Sequence, residues 1–238
     1  MRISAIVTDI EGTTTPIAFV RDTLFPYARE RLRGYLRSHE TDAEVQAICA
    51  DIAVIAPGRP PEACLLEWMD ADAKITPLKA LQGLIWTDGY LNGDLKGMLY
   101  PDVAPALRRW HSLGIRLYVY SSGSEAAQRL LFTHSVDGNL ADLVSNFFDT
   151  RIGPKNVASS YHAIRARIGT TPADILFLSD MEKELDEAAS AGLRTCQLVR
   201  EEDGTLPSPR HRRAGSFTDM IGISGCMKTE EIETVGTP

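Results

Sequence analysis

The chain has 238 residues, 44% of them hydrophobic and 24% charged, the balance of an ordinary globular protein large enough for one big domain or a core with an insert. A formal net charge of −7 argues against nucleic acid or an anionic membrane surface as the main partner. No apolar run approaches the ~20 residues that a membrane span needs.

Cys49, Cys64, Cys196 and Cys226 form no CxxC pair and lie in or beside apolar or small-residue stretches, which predicts buried free thiols in a reducing compartment. The N-terminus runs from Met-Arg straight into strand-like residues without a leader-type apolar segment, so a soluble cytoplasmic protein is expected. The first strand is expected over Ile3–Thr8, short, β-branched and uninterrupted, as in a parallel strand buried on both faces. From about Phe19 to about Leu95 the pattern is helical. Ala28, Leu32, Tyr35 and Leu36 fall on one stripe, and Val45, Ile48, Ile52 and Ile55 on another. "PPEACLLEWM" and "TPLKALQGLIW" each put a proline at a helix start, where its missing N–H costs nothing.

"DVAPALRRWHSLG" predicts a helix stopped at Gly114, and "IRLYVY" (115–120) a strand. "SEAAQRLLFTHS" reads as helix, "LVSNFFD" as strand, and "PKNVASSYHAIRARIG" as a helix with Val157, Tyr161, Ile164 and Ile168 on one face. "DILFLS" (174–179) is an expected strand, "MEKELDEAASAG" a helix ending at Gly192, and "TCQLV" (195–199) a strand. This alternation predicts an α/β fold, a Rossmann-like doubly wound parallel sheet with right-handed crossovers. Residues 1–18 and 96–225 would form that core, 19–95 an inserted helical domain, and 226–238 a tail with too little apolar content to pack. The Arg-rich "PRHRRAG" (209–215) reads as a solvated loop rather than a binding patch.

The chemistry gathers at strand ends. Side chains two apart on an extended segment point the same way. If the first strand runs on past Thr8, Asp9 and Glu11 share a crevice at its C-terminal end, where open α/β sheets bind ligands. Gly12, Thr13 and the threonines after them offer a close backbone approach with N–H and hydroxyl donors, which suits an anion. Two carboxylates facing a phosphate would repel it, so a cation must lie between them. Hard oxygen ligands with phosphate favour Mg²⁺, which needs only one or two protein carboxylates. A charged turn that merely begins with Asp is the plainer alternative.

"LYVYSSGS" ends in Ser121, Ser122, Gly123 and Ser124 before a helix, either as donors to an anion or as an N-cap. "ILFLSDMEKE" ends in Ser179 and Asp180, with Glu182 and Glu184 in the first helical turn, and joins the same edge or is itself an N-cap with dipole-matched acids. Lys155 follows a Gly-Pro turn at an expected helix start. Alone it would be surface decoration, but a cation there opposes the helix dipole and an anionic ligand would account for it.

This ordered set resembles the haloacid dehalogenase superfamily of phosphohydrolases. Its first motif, Asp-x-Asp-x-Thr, is matched by "DIEGT" with Glu11 in place of the second aspartate. Its hydroxyl motif is matched by Ser121, its lysine motif by Lys155, and its acidic motif by Asp180 with Glu184. The helical insert sits where that superfamily carries its first type of cap. "DIEGTTTPIAFV", "LFPY", "LQGLIW", "YSSGS", "LLFTHS", "FDTRIGPK" and "ILFLSD" are similar to the enolase-phosphatase family of methionine salvage, from residue 5 to about 200.

The resemblance implies a haloacid dehalogenase-like core with a helical cap. It implies conversion of 2,3-diketo-5-methylthiopentyl-1-phosphate to the acireductone 1,2-dihydroxy-3-keto-5-methylthiopentene and phosphate, with Mg²⁺ as the cofactor. Asp9 would be the nucleophile, and the Asp9 carboxylate, the Glu11 backbone carbonyl and the Asp180 carboxylate would hold the metal. Lys155 and Ser121 would hold phosphoryl oxygens, with Ser122 on the substrate beside them and Glu11 as general acid and then base. Phe19, Leu84 and Trp86 are candidates for apolar contact with the methylthio end, although packing of the cap's own core accounts for each equally well. The expected partner is a small phosphorylated diketone, with no nucleic acid and no membrane, and the chain is expected to be a monomer. A superfamily phosphatase for another small phosphate ester, or a non-catalytic phosphate-binding protein, are the competing readings.

Overall fold

The computed structural model describes residues 3–220; Cys226 and the predicted tail lie outside the described residues. Six strands, β1 (Ala5–Thr8), β2 (Arg116–Tyr120), β3 (Val144–Phe148), β4 (Ile175–Ser179), β5 (Arg194–Leu198) and β6 (Arg212–Ala214), form one sheet in the order β3-β2-β1-β4-β5-β6. Every neighbouring pair is parallel. The order reverses at β1, which lies between β2 and β4, and that reversal is where a doubly wound sheet opens a crevice at its C-terminal edge.

The sheet is buried on both faces, and the period of two decides which residue goes where. Ala5, Val7, Tyr118, Tyr120, Phe148, Ile175 and Phe177 form one core with residues of two helices. Ile6, Leu117, Val119, Phe147, Leu176 and Leu178 alternate with them and are also buried.

Ile17–Gly97 form a compact unit of their own, and the described residues on either side form the other. The helical unit begins with α1 (Ile17–Phe19), passes through a π turn (Val20–Leu24) and continues as α2 (Phe25–Ser38), α3 (Ala43–Ile55), α4 (Pro61–Asp70) and α5 (Thr76–Leu91). Ala28, Leu32, Ile48, Ile52, Cys64, Leu65, Trp68, Leu78, Leu81 and Ile85 make its core, with Tyr35 and Leu36 half-buried against it. Ile55, the last residue of α3, is exposed, so the stripe predicted there is one residue shorter than its spacing suggested.

The sheet unit carries α6 (Val103–Ser112), α7 (Glu125–Thr133), α8 (Ala158–Ile168) and α9 (Glu182–Ser190). Tyr161, Ile164 and Ile168 of α8 and Leu185 and Ala188 of α9 complete the first core. Phe132 of α7 meets Phe147 edge-on at 5.7 Å on the other face, so both faces are covered. Val157, expected on the α8 stripe, is instead the residue before the helix.

The Arg-rich stretch is not a loop. Arg212–Ala214 pair with β5 as an edge strand. Arg210 and His211 tie the approach to it down, through Glu182 and Asp186 for Arg210 and Asp186 for His211. Cys49, Cys64 and Cys196 are free thiols, the last two buried. Among the described residues no helix is long and apolar enough to cross a membrane.

Phe177 lies fully buried in β4 with the Tyr161 ring edge-on at 5.1 Å. Phe177→Ala is expected to lower the free energy of unfolding by about 3–5 kcal/mol, read from the urea midpoint. A loss under about 1 kcal/mol would contradict this packing.

Candidate active site

Thr8 pairs with Val119 and Leu178, and the Asp9 amide donates to the Leu178 carbonyl at 2.9 Å. The chains leaving β1, β2 and β4 therefore depart side by side, carrying Asp9, Ser121 and Asp180. The first strand ends at Thr8 and does not run on past it. The Ile10 carbonyl accepts the amides of Thr13, Thr14 and Thr15 at 3.2, 2.9 and 2.9 Å, and Gly12 turns the chain at φ +72°. The alternation that would have aligned Asp9 with Glu11 ends at that turn. Asp9 is buried, at 4% exposure, while Glu11 is exposed and bridges to Thr15.

Lys155 organises the buried side of the site. Its Nζ lies 2.6 Å from Asp9 Oδ1 and 2.7 Å from Glu184 Oε2. The Ile10 amide holds Asp9 Oδ1 at 2.7 Å, and the Ser179 hydroxyl donates to Glu184 Oε2 at 2.9 Å. Burial alone would lower the lysine pKa, but the charges of Asp9 and Glu184 outweigh it and raise the value above the usual lysine range. The same burial, with Asp9 close by, pushes Asp180 up to about 7 and raises Glu184 in the same way. Three carboxylates facing one ammonium leave the cluster with an excess of two negative charges when all are ionised.

Two expectations about this edge change. Helix α8 begins at Ala158, three residues past Lys155, so the helix dipole has no part in explaining the lysine; its two ion pairs do. Nor is Ser179 an N-cap. The residue before α9 is Met181, without a side-chain cap, and Ser179 is engaged with Glu184 and the Met181 amide.

Asp180 is fixed by the first turn. The Thr13 hydroxyl accepts its amide at 2.9 Å and reaches its Oδ1 at 3.4 Å, and Gln197 Nε2 donates to its carbonyl at 2.8 Å. A Cβ on Gly12 would lie 2.7 Å from Asp180 Oδ2, so glycine is required by contact as well as by φ. Ser121 is buried, its amide bonded to the Phe148 carbonyl at 3.1 Å and its Oγ accepting the Gly123 amide at 3.2 Å. The N-cap of α7 is Ser124, which accepts the Ala127 amide, so the cap reading holds for Ser124 and not for Ser121 or Ser122. Ser122 is exposed.

Phe19 is buried, and Leu84 and Trp86 are half-buried against the core of the helical unit. Trp86 Nε1 donates to the Leu24 carbonyl at 2.8 Å and its ring stacks on Phe25 at 6.2 Å. These contacts give Trp86 a packing role that suffices to account for it.

Arg200 carries no motif signal in the sequence. It lies buried just past β5 and clamps the Thr13 carbonyl through Nη2 at 2.8 Å and Nε at 3.2 Å. Asp102 neutralises it at 3.0 Å, and its guanidinium lies 3.9 Å from the centre of the Tyr100 ring. Asp149, at the end of β3, accepts the amides of Glu125 and Arg151 at 3.2 and 2.9 Å, fixing the start of α7 beside the serine turn.

Among the described residues no three His, Cys, Asp or Glu side chains are grouped to hold a metal. What the edge offers is two buried carboxylates, Asp9 and Asp180, beside a turn whose backbone packs on one of them. This all-oxygen set with excess negative charge fits Mg²⁺, which takes few carboxylates and keeps waters. It lacks the nitrogen or sulfur ligands that zinc sites favour.

Residues 3–192 match a family model described as haloacid dehalogenase-like hydrolase. The chain is 56% identical over 218 residues to "Enolase-phosphatase E1" of Gluconacetobacter diazotrophicus, covering 92% of this chain and 93% of that one. It is 55% identical to the protein of the same description from Granulibacter bethesdensis, covering 93% and 96%. Among solved structures, the UTR4 protein of Saccharomyces cerevisiae superposes with a TM-score of 0.78 at 32% identity, covering 90% of this chain and 98% of that one.

Gly12→Ala is expected to displace the Asp180 carboxylate and remove nearly all activity, while a circular dichroism spectrum like the parent's reports an intact sheet. Because the folded pKa of Asp180 is raised, the folded state holds that proton more tightly than the unfolded chain does. In EDTA, its contribution is present below the ordinary aspartate pKa and is lost as pH rises through about 7. Urea midpoints should fall over that window, and Asp180→Asn should flatten the fall. An unchanged slope in the variant would count against the shift.

Proposed function

The chain belongs to the enolase-phosphatase E1 family of haloacid dehalogenase-like hydrolases, and we propose that it converts 2,3-diketo-5-methylthiopentyl-1-phosphate to the acireductone and phosphate through a phosphoryl-enzyme on Asp9. The observation that carries this reading is the Lys155 ammonium held between Asp9 and Glu184, with Asp180 alongside, at the C-terminal edge of β1.

Asp9 attacks phosphorus. Its carboxylate is buried and oriented by the Ile10 amide and Lys155, so little reorganisation is left for the reaction. Lys155 and the Ser121 hydroxyl take up charge on the phosphoryl oxygens as the bond to the leaving oxygen breaks. The Asp9 and Asp180 carboxylates and the Glu11 backbone carbonyl would hold Mg²⁺, which when bound supplies the positive charge that brings a phosphate dianion up to these acids.

Glu11 donates a proton to the leaving oxygen. It then takes one from the water that attacks the aspartyl-phosphate, releasing phosphate and restoring the Asp9 carboxylate. Its exposed place on the turn, next to buried Ile10 and two residues from buried Asp9, keeps it in reach of that water. The two carboxyls thus differ in surroundings, as their opposite roles need. Glutamate is one methylene longer than the aspartate of the superfamily motif, and that reach lets the same carboxyl help move the carbon-bound proton of the enolisation.

With the diketone phosphate and Mg²⁺, absorbance of the enediol product should appear together with free phosphate. Asp9→Asn should abolish both, and Glu11→Gln should slow them by about 10² to 10⁴. Glu11→Asp should lose more enolisation than phosphate release. Phosphate release by Asp9→Asn at the parent rate would refute the nucleophile, and full enolisation by Glu11→Asp would refute the role of the extra methylene.

A further inference from the structure

We infer that Tyr120, Ser160 and Tyr161 are positioning residues for Lys155, their hydroxyls gripping three successive backbone carbonyls so that the ammonium stays between Asp9 and Glu184. The Tyr120 hydroxyl donates to the Gly153 carbonyl at 2.8 Å, Ser160 Oγ to the Pro154 carbonyl at 2.7 Å, and the Tyr161 hydroxyl to the Lys155 carbonyl at 2.8 Å. These residues lie in a turn between β3 and α8, so the sheet ladder does not satisfy their carbonyls. Three side chains do so instead.

The props are themselves rigid. Tyr120 and Tyr161 are fully buried and meet edge-on at 5.7 Å, and Tyr161 is braced by Phe177. A tyrosine has only two side-chain torsions, and here packing settles both. Ser160 is buried on α8, and a Cβ on Gly153 would lie 2.2 Å from its Oγ. Gly153 takes φ +136°, which leaves it no room for another residue. Burial holds both phenols above the usual tyrosine range, so each remains a donor.

A lysine is a point charge on a flexible stem, and its two ion pairs fix only the far end. Once phosphate competes for that ammonium, the near end must be fixed by something else. The hydroxyl-held carbonyls supply it, from a core that substrate does not disturb. In the sequence, Tyr161 reads only as part of a core stripe, and neither Tyr120 nor Ser160 has a reading of its own.

This inference rests on the reading of Lys155 as a phosphoryl-binding residue, and the test separates the two. Tyr120→Phe, Tyr161→Phe, the double variant and Lys155→Met are compared with the parent for kcat and KM of phosphate release. In the metal-free proteins the rate of acetylation of Lys155 by acetic anhydride is read by mass spectrometry, with exposed Lys183 as the reference. The Phe variants keep the rings and should fold. Each is expected to lower kcat about tenfold with a much smaller change in KM. Each should also speed acetylation of Lys155 by about fivefold relative to Lys183, because the turn opens more often.

If Lys155→Met is inactive while every Phe variant matches the parent in rate and labelling, the positioning role is wrong and the site reading stands. If Lys155→Met retains the parent rate, the site reading fails and the inference with it. Should Tyr161→Phe not fold, Tyr120→Phe decides by the same criteria.

Discussion

A buried ammonium has to be matched by negative charge, and a buried surplus of negative charge has to be matched by something else. Lys155 meets the first condition through Asp9 and Glu184. Asp180 breaks the balance, and the pKa values of Asp180 and Glu184 rise because burial disfavours their charged forms and the nearby Asp9 charge adds to it, by more than the one ammonium offsets. A site built this way fits a cation. A cation held there would make it hospitable to a phosphate dianion which the bare carboxylates would repel.

The fold is the reason these groups meet. The strand order reverses at β1, so the loops after β1, β2 and β4 leave the sheet as neighbours while the intervening helices go elsewhere. The loops are then braced from beneath. Arg200 and Asp102 form a second buried pair whose donors hold the Thr13 carbonyl, and Thr13 in turn holds Asp180. The serine turn after β2 is held by Gln128, which donates to the Gly123 and Phe148 carbonyls, and by Asp149 at the start of α7. Asp9, Ser121, Lys155 and Asp180 therefore each have a supporting hydrogen bond from a group that does not touch the reaction.

The strands were legible because β-branched runs buried on both faces look unlike anything else in the chain, and the helices because their apolar residues keep the helical period. Edge strand β6 escaped notice because Arg212 and Arg213 of it are exposed and lack that signature. The acids, serine and lysine stood out as types at strand ends. Their geometry did not, since a turn closed by the Ile10 carbonyl overrides the alternation that would align Asp9 with Glu11. A dipole reading of Lys155 fails, because the helix starts later than its periodicity suggests. Arg200 was invisible in principle. Its partner at the turn is a backbone carbonyl 187 positions earlier, and no local pattern encodes that contact.

The central claim is that the surplus of buried carboxylate makes the site a receptor for a divalent cation. Its most direct test is calorimetric titration of Mg²⁺ into the metal-free protein in buffers of different ionisation enthalpy, at pH 6 and again at pH 8.5. Below the raised pKa of Asp180, binding should expel close to one proton, and well above it the release should vanish while affinity increases. Binding that releases no protons at either pH, or no binding at all, would contradict the account.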